Sequence, residues 1–219
     1  MAAKKPDWRE QAKSHAFIIG ADECGLGSWA GPLIVCAVSV PTNWSPPRGL
    51  NDSKKLRKAE HERLYYILKT GVTSLVEMAH SDEIDRVGIT TALKRCYRTV
   101  VQGLRERYPD SFVILDGEVT IPEVPHISFP RADGEVPAVM AASVIGKYIH
   151  DRYMLTMAEK YQGYGFGSNV GYGTPEHQAG IQKLGLTPIH RKSYAPMGKL
   201  KTAVEMAQAD DEGMAVDED

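Results

Sequence analysis

Four short apolar runs along the chain predict the strands of one sheet. Each is six to eight residues long and is bounded by glycine, proline or polar residues. Runs of this length are typical of strands, and the short connection between the first two predicts that they are neighbours. The predicted strands cover residues 17–22, 33–40, 73–79 and 111–116.

Longer segments between and after these strands predict helices. Asp52 or Ser53 is a suitable N-cap for the first helix, and Thr174 is one for the last, with Pro175 at its first position. Ser81 begins the approach to the second helix. Strands that feed helices are typical of an α/β sheet. The predicted helices run from 52 or 53 to about 69, and over 90–107, 138–159 and 175–184.

Composition divides the chain into a body and two charged ends. Its 219 residues fit one domain with a sizeable core, predicted over residues 16–208. Residues 1–15 are polar and basic and predict a short N-terminal arm. Six of the 28 acidic residues lie in the last ten positions, so residues 209–219 predict a disordered acidic tail. The remaining body is mildly basic, which suits an anionic partner.

Composition also disfavours two classes of protein. No apolar run approaches the roughly 18 residues that span a bilayer, and the N-terminus lacks the apolar core of a signal peptide. We therefore expect a cytoplasmic protein without a membrane partner. The three cysteines include no CxxC pair, so they indicate neither a disulfide framework nor a zinc knuckle.

Acidic side chains stand at unfavourable positions beside the predicted strands. Asp22 and Glu23 lie between the first apolar run and a glycine-rich turn, and Asp116 ends the fourth run. Ionised carboxylates at the end of a buried strand are costly unless a cation or hydrogen-bond donors compensate them. A metal site would provide that compensation, whereas a solvated loop is the simpler alternative for Asp22 and Glu23.

A fourth acid, Asp151, lies within a predicted helix. It is either an i,i+4 partner of Lys147 on a surface helix or a further member of an acid cluster. Separated acids without a set of Cys and His ligands favour oxygen-loving cations such as Mg²⁺ or Mn²⁺ over zinc. The acids together therefore indicate a site for a hard divalent cation.

Basic and aromatic segments accompany these acids. Four cations crowd residues 54–58, where they oppose the dipole of the predicted helix. A glycine-rich loop with two tyrosines, residues 163–177, precedes a second basic cluster at residues 190–192. These segments suit a phosphodiester substrate, although a solvated basic face explains the first cluster equally well.

Six motifs carry these residues, namely GADECGLGSWAGP, LNDSKKL, VILDG, MAASVIGKYIHDRYM, GYGTPEH and TPIHRKSYAP. Their order and spacing resemble those of ribonuclease HII, over roughly residues 17–196. Any one motif would be moderate evidence, and six in order are strong.

The resemblance implies a ribonuclease H-like fold, with a mixed sheet flanked by helices and a small C-terminal helical part. It implies an endoribonuclease that hydrolyses the RNA strand of RNA/DNA hybrids, or single ribonucleotides embedded in duplex DNA, leaving a 3′-hydroxyl and a 5′-phosphate. Two divalent cations, Mg²⁺ or Mn²⁺, would activate a water and stabilise the leaving oxygen. We expect a monomer. The matching catalytic and metal-binding acids are Asp22, Glu23, Asp116 and Asp151.

The resemblance also implies three kinds of substrate contact. A segment after the acid pair reads 2′-hydroxyl groups through its backbone, a tyrosine senses the junction between ribose and deoxyribose, and cations hold phosphates. Packing of its loop on the core is the alternative role for the tyrosine. The matching residues are Gly25, Leu26 and Gly27 for the segment, Tyr172 for the tyrosine, and Lys147, Arg191 and Lys192 for the cations.

One departure from the family pattern changes the expected substrate preference. The family's GRG segment is GLG here, with Leu26 in place of the arginine, and Val170 stands where a lysine is common. Loss of two cations predicts weaker binding with a shallower salt dependence. We therefore expect cleavage of hybrids to persist, with reduced or altered activity at an isolated ribonucleotide.

Two other functions are compatible with the motifs. A non-catalytic protein that binds RNA/DNA hybrids would keep the fold, although it would have no need of all four acids. Another metal-dependent nuclease of the same fold would cut plain DNA, for instance at junctions, and a strict requirement for a 2′-hydroxyl would exclude it.

Overall fold

A mixed five-stranded sheet forms the centre of the computed structural model, which describes residues 7–51, 53 and 56–197. The strands are β1 (Phe17–Cys24), β2 (Leu33–Pro41), β3 (Thr73–Ala79), β4 (Ser111–Asp116) and β5 (Ile127–Phe129). Their order across the sheet is β3-β2-β1-β4-β5. β1 pairs antiparallel with β2 and parallel with β4. The predicted mixed sheet is confirmed, and β5 is an additional strand.

Helices cover both faces of this sheet. In the described part of the chain they are α1 (Trp8–Ala12), α2 (Lys58–Gly71), α3 (Ser81–Val87), α4 (Ile89–Arg107), α5 (Pro137–Lys160), α6 (Phe166–Asn169) and α7 (Pro175–Leu184). Bounds predicted for the three helices that correspond to α4, α5 and α7 are correct to within one residue. α6 and α7 are helices of the predicted C-terminal part.

The sheet separates two apolar cores. On one face α5 packs against β1 and β2, and α2 packs on α5, with Leu64 and Ala142 fully buried. On the other face α4 packs against the same strands, with Val101 fully buried. Because β2 is covered on both faces, its first eight residues are all buried, which explains their continuous apolar run.

Close contact between β1 and α5 depends on Gly20. A Cβ atom added at Gly20 would lie 2.4 Å from the backbone carbon of Ala138 and 2.4 Å from the backbone nitrogen of Val139. Backbone atoms cannot move aside as a flexible side chain can. The first turn of α5 therefore lies directly on β1, and this contact fixes where the rest of α5 crosses the sheet.

Helix α2 begins later than predicted. Its first residue is Lys58 and its N-cap is Arg57, which makes no side-chain capping bond. Ser53 does not cap it, because the Ser53 hydroxyl is buried and lies 2.8 Å from the hydroxyl of Ser143 on α5. The predicted start at residue 52 or 53 is therefore wrong. Asp52, Lys54 and Lys55 lie outside the described residues.

The predicted N-terminal arm is partly packed on the body. Trp8 and Ala12 of α1 are buried in the core beneath α5, so residues 8–12 are not a free extension. Residues 1–6 and the predicted acidic tail, 209–219, lie outside the described residues, and the boundaries of the predicted domain stay predictions. Among the helices described here, none combines the length and apolar character required to cross a membrane.

Replacement of Gly20 by alanine tests the contact between β1 and α5. We expect Gly20→Ala to lower the free energy of unfolding by about 3 kcal/mol, because the new methyl group meets backbone atoms. Urea denaturation followed by circular dichroism measures this change.

Gly71→Ala at the end of α2 is the matched control, since nothing lies within 4 Å of an added Cβ there. Its free energy of unfolding should stay the same or rise by less than about 1 kcal/mol. Equal effects of the two substitutions would contradict the close contact.

Candidate active site

The strands that carry Asp22 and Asp116 bring both residues to the same edge of the sheet. The parallel ladder between β1 and β4 ends with Ala21 opposite Leu115, and the two acids are the next residues of their strands. β1 continues in its antiparallel ladder with β2, where Asp22 pairs with Cys36. Asp22 is therefore a buried strand residue, which excludes a solvated loop at this position.

The surroundings of Asp22 disfavour its charge. Burial raises the pKa of Asp22 well above its ordinary value, and the charge of Glu23 raises it further. Asp116 and Asp133 repel it as well, while a hydrogen bond with Ser143 acts in the opposite direction. A bound cation would relieve this repulsion.

Asp133 is an acid that the sequence analysis did not assign to the site. It lies in a short 3₁₀ turn before α5 and is buried. Its backbone N–H donates to Asp116 Oδ1 over 3.2 Å, so it also helps to orient that carboxylate. The contact joins residues 17 positions apart, and no local sequence pattern predicts it.

Tyr97 is a second site residue that the sequence analysis missed. It lies on α4, is fully buried, and its hydroxyl donates to Glu23 Oε2. Burial holds the pKa of Tyr97 well above its ordinary value, and the charge of Glu23 adds to this effect. The hydroxyl therefore keeps its proton and restrains one carboxylate oxygen of Glu23. In the sequence, Tyr97 resembles any other residue of the buried helix face.

Asp151 has a different environment from that of Asp22. The ammonium group of Lys147 lies 2.8 Å and 3.1 Å from its two carboxylate oxygens, which confirms the i,i+4 pair. Burial alone would raise the pKa of Asp151, but His150 and Lys147 beside it lower it. Asp151 is thus ionised with a cation of the protein already in contact.

One cavity of about 370 Å³ brings together three of the four predicted acids, Asp22, Glu23 and Asp151, whereas Asp116 is not among its lining residues. Burial raises the pKa of the Cys24 thiol in its wall to about 12, so Cys24 is no nucleophile at neutral pH. A cavity of about 460 Å³ between α3 and α4 contains none of the predicted site residues. The lining of the smaller cavity is Asp22, Glu23, Cys24, Gly25, Leu26, Ser53, Ser143, Lys147, His150, Asp151 and Tyr172.

The loop of Gly25, Leu26 and Gly27 forms one wall of this cavity. Gly25 has φ +81°, and a Cβ there would lie 2.7 Å from His150 Nε2, so only glycine fits without strain. The Leu26 side chain is 39% exposed. The Leu26 carbonyl accepts hydrogen bonds from the Tyr194 hydroxyl at 2.7 Å and from Arg191 Nη1 at 3.0 Å.

Tyr172 lies beside this loop and also lines the cavity. The side chain is 42% exposed, and a Cβ added at Gly27 would lie 3.7 Å from its ring. The glycines on both sides of Tyr172 approach the chain closely, because a Cβ at either one would overlap Ala30 or Trp29. The loop that carries Tyr172 is therefore packed on the rest of the protein, which is the alternative role considered for this tyrosine. The ring of Tyr172 nevertheless faces the cavity.

Arg191 is not placed to make the phosphate contact that the family resemblance implies. It is fully buried, and its Nε donates to the Gly31 carbonyl over 3.1 Å. Backbone carbonyls hold the guanidinium inside the protein, so the expected contact with a phosphate is wrong for the side chain in this position. Lys192 is exposed, and its backbone N–H donates to Asp85. Its contact with phosphate stays a prediction.

The donor set of the four predicted acids fits a hard divalent cation. All of the donors are carboxylate oxygens, which suit Mg²⁺ or Mn²⁺ better than zinc. Within residues 7–51, 53 and 56–197, no three His, Cys, Asp or Glu side chains are already arranged to hold an ion. Asp151 is occupied by Lys147, so cation binding requires the acids to rearrange.

Comparison with known proteins identifies the family. The sequence model described as Ribonuclease HII matches residues 19–197. The chain belongs to the ribonuclease HII family. Ribonuclease HII from Jannaschia sp. (strain CCS1) is 37% identical over 198 residues, which cover 89% of this chain and 98% of that protein. Ribonuclease HII from Enterococcus faecalis is 37% identical over 207 residues, covering 89% and 80%. The protein is therefore a ribonuclease H endoribonuclease.

Solved structures support the same fold. Ribonuclease H2 from Pyrococcus horikoshii OT3 superposes with a TM-score of 0.71 at 24% identity, covering 87% of this chain and 98% of that one. Bst-RNase HIII in complex with Mn²⁺ superposes with a TM-score of 0.70 at 17% identity, covering 94% and 76%. At these identities the likeness confirms the ribonuclease H-like architecture alone.

The contrast between Asp22 and Asp151 predicts opposite effects of two amide substitutions. In metal-free protein at pH 8, we expect Asp22→Asn to raise the free energy of unfolding, because it removes a buried charge whose pKa is raised by folding. We expect Asp151→Asn to lower it, because Asp151 loses the favourable contact with Lys147. Thermal unfolding in the presence of a chelator measures both.

The pH dependence supplies the control. The penalty from a carboxyl group whose pKa is raised in the folded state is complete above that pKa. It shrinks as the pH falls towards the pKa of the unfolded chain, about 4, and disappears below it. The advantage of Asp22→Asn should therefore shrink as the pH falls. A destabilising Asp22→Asn substitution at pH 8 would contradict the repulsion inferred for the cluster.

Proposed function

We propose that this ribonuclease HII protein uses two divalent cations, Mg²⁺ or Mn²⁺, held by Asp22, Glu23, Asp116 and Asp151. Its substrate is the RNA strand of an RNA/DNA hybrid and, less efficiently, a single ribonucleotide in duplex DNA. The products carry a 3′-hydroxyl and a 5′-phosphate. The observation that carries this proposal is the buried Asp22, repelled by Glu23 and Asp116, beside a cavity that Leu26 and Tyr172 also line.

The cations would supply activation of a water and stabilisation of the leaving 3′ oxygen. The protein's own residues contribute orientation. Tyr97 restrains the carboxylate of Glu23, and the backbone of Asp133 restrains that of Asp116. Lys147 lies at the carboxylate of Asp151, where its ammonium group can pass to a substrate phosphate once Asp151 binds a cation.

The shape of the site suits a nucleic-acid strand. A further cavity of about 260 Å³ shares Ser53, Lys147 and Asp151 with the first and continues to Lys58 and His61 of α2. The two cavities together form a groove that runs from the acids to the basic N-terminal end of α2. A groove of this kind suits a polyanion, whose backbone contacts position it without reading its sequence.

The non-catalytic alternative is less consistent with the site. A protein that only binds hybrids has no use for Asp22 in a position where burial and Glu23 oppose its ionisation. A nuclease for plain DNA would have no use for a tyrosine and a backbone loop that contact a ribose, the roles proposed for Tyr172 and for Gly25, Leu26 and Gly27. We also propose that the protein is monomeric and cytoplasmic, as the sequence predicts.

Substrate choice and metal dependence are tested by one cleavage panel. Purified protein is given an RNA/DNA hybrid, a duplex with one ribonucleotide and plain DNA, each with Mg²⁺ and with Mn²⁺. We expect cleavage of both substrates that contain ribose and none of plain DNA. Asp116→Asn should abolish cleavage while hybrid binding in the presence of Ca²⁺ persists. Unchanged turnover by this variant would overturn the catalytic assignment.

Leu26→Arg tests the departure from the family pattern. The added guanidinium should raise kcat/KM for the single-ribonucleotide duplex roughly tenfold. It should also steepen the dependence of binding on the logarithm of salt concentration by about one unit. Leu26→Gln, which is polar and uncharged, is the matched control and should do neither. If wild-type protein already cleaves this duplex as efficiently as a homologue with GRG, the proposed role of Leu26 is wrong.

A further inference from the structure

A pair of buried histidines lies outside the acid cluster. His177 on α7 and His190 in the segment after α7 are both almost fully buried. Their Nε2 atoms are 3.0 Å apart. The Nδ1 atom of His177 lies 2.9 Å from the Tyr172 carbonyl, and the Nδ1 atom of His190 lies 2.8 Å from the backbone nitrogen of Thr187.

These contacts fix the protons of both rings. The Tyr172 carbonyl only accepts hydrogen bonds, so Nδ1 of His177 carries a proton. The backbone N–H of Thr187 only donates, so Nδ1 of His190 carries none. Each neutral ring has one N–H, and His190 Nε2–H therefore donates to the bare Nε2 of His177. A second proton on His177 would place an N–H against the Nε2–H of His190. A second proton on His190 would place an N–H against the backbone N–H of Thr187.

The environment keeps both rings neutral. Burial lowers the pKa of His177. Burial and the neighbouring ring lower the pKa of His190 to about 4. The hydrogen-bonded chain from Thr187 to Tyr172 is therefore continuous at neutral pH.

This chain supports two loops that line the cavity of the candidate site. At one end it holds the backbone of Tyr172, whose ring faces the cavity. The residue after His190 is Arg191, whose Nη1 donates to the carbonyl of Leu26, in the other loop that lines the cavity. The two segments of the chain that carry Leu26 and Tyr172 also contact each other directly, because the Gly171 carbonyl accepts hydrogen bonds from the backbone of Trp29 and Ala30.

We propose that His177 and His190 are positioning residues for Tyr172. Their neutral, singly protonated pair fixes the Tyr172 carbonyl and thereby sets the place of the tyrosine ring against the substrate ribose. This inference rests on the proposed function only in naming ribose as the group that Tyr172 contacts. Neither histidine touches the reacting atoms, so neither is a catalytic residue.

Two substitutions at His177 separate its hydrogen bonds. His177→Asn can place an amide N–H near the position of Nδ1 and so keep the bond to the Tyr172 carbonyl. His177→Gln can reach His190 in place of Nε2 but leaves that carbonyl without its donor. We expect kcat/KM for the single-ribonucleotide duplex to fall roughly tenfold in His177→Gln, and by less than about threefold in His177→Asn. Equal losses in both variants would overturn the proposal.

A double-mutant cycle with Tyr172→Ala distinguishes positioning from general loss of stability. If His177 acts through Tyr172, His177→Gln should cause little further loss of kcat/KM in the Tyr172→Ala protein. Additive losses would show that the histidine pair has no specific effect on the tyrosine, and would overturn the proposal.

Nitrogen-15 NMR of the histidine rings at pH 7 needs no substrate and so stands apart from the proposed function. We expect His177 protonated at Nδ1 only and His190 at Nε2 only. A charged ring or the opposite tautomers would overturn the proposal even if the enzyme is active. If the wild-type protein cleaves no ribose-containing duplex, the proposed function fails, while the NMR result still decides whether the pair holds the Tyr172 carbonyl.

Discussion

Repulsion between the buried Asp22 and the carboxylates beside it is the constraint on which the architecture of the site depends. Asp22 is adjacent to Glu23 in sequence and beside Asp116 in the sheet, so the fold must hold these groups together against their charges. Donors reach the cluster from both faces of the sheet. Tyr97 comes from α4 on one face and Ser143 from α5 on the other. The two layers of helices therefore orient the acids as well as cover the core.

Helix α5 joins the stability of the fold to the geometry of the site. Its first turn lies directly on β1 at Gly20. Ser143, Lys147 and Asp151 follow at intervals of four residues, which places them along one face of the helix, and all three line the cavity of the candidate site. A shift of the first turn would consequently displace Asp151 relative to Asp22. The close contact at a glycine is thus a condition for the spacing of the acids.

Features that depend on residues close together in the chain were predictable from the sequence. The bounds of α5 and the burial of β2 follow from the local sequence, and the family resemblance of the motifs assigned the four candidate acids. Contacts between distant segments were not predictable in this way. The hydroxyl of Tyr97 donates to Glu23, which lies 74 residues earlier in the chain. Ser53, predicted as a possible helix N-cap, instead pairs with the hydroxyl of Ser143, 90 residues later. The family resemblance implied that Arg191 contacts a phosphate, but carbonyls about 160 residues earlier in the chain hold it inside the protein.

The contacts of the buried Arg191 help to show which properties of the loop depend on the Leu26 side chain. Arg191 and Tyr194 hold the Leu26 carbonyl from beneath the loop, and the strained Gly25 fits against His150. None of these contacts involves the Leu26 side chain, so the shape of the loop does not depend on whether leucine or arginine is present. The backbone geometry that the proposed contact with a 2′-hydroxyl requires is therefore retained, whereas the charge of an arginine side chain at this position is absent. In this protein the two contributions of the segment, geometry and charge, are therefore separable.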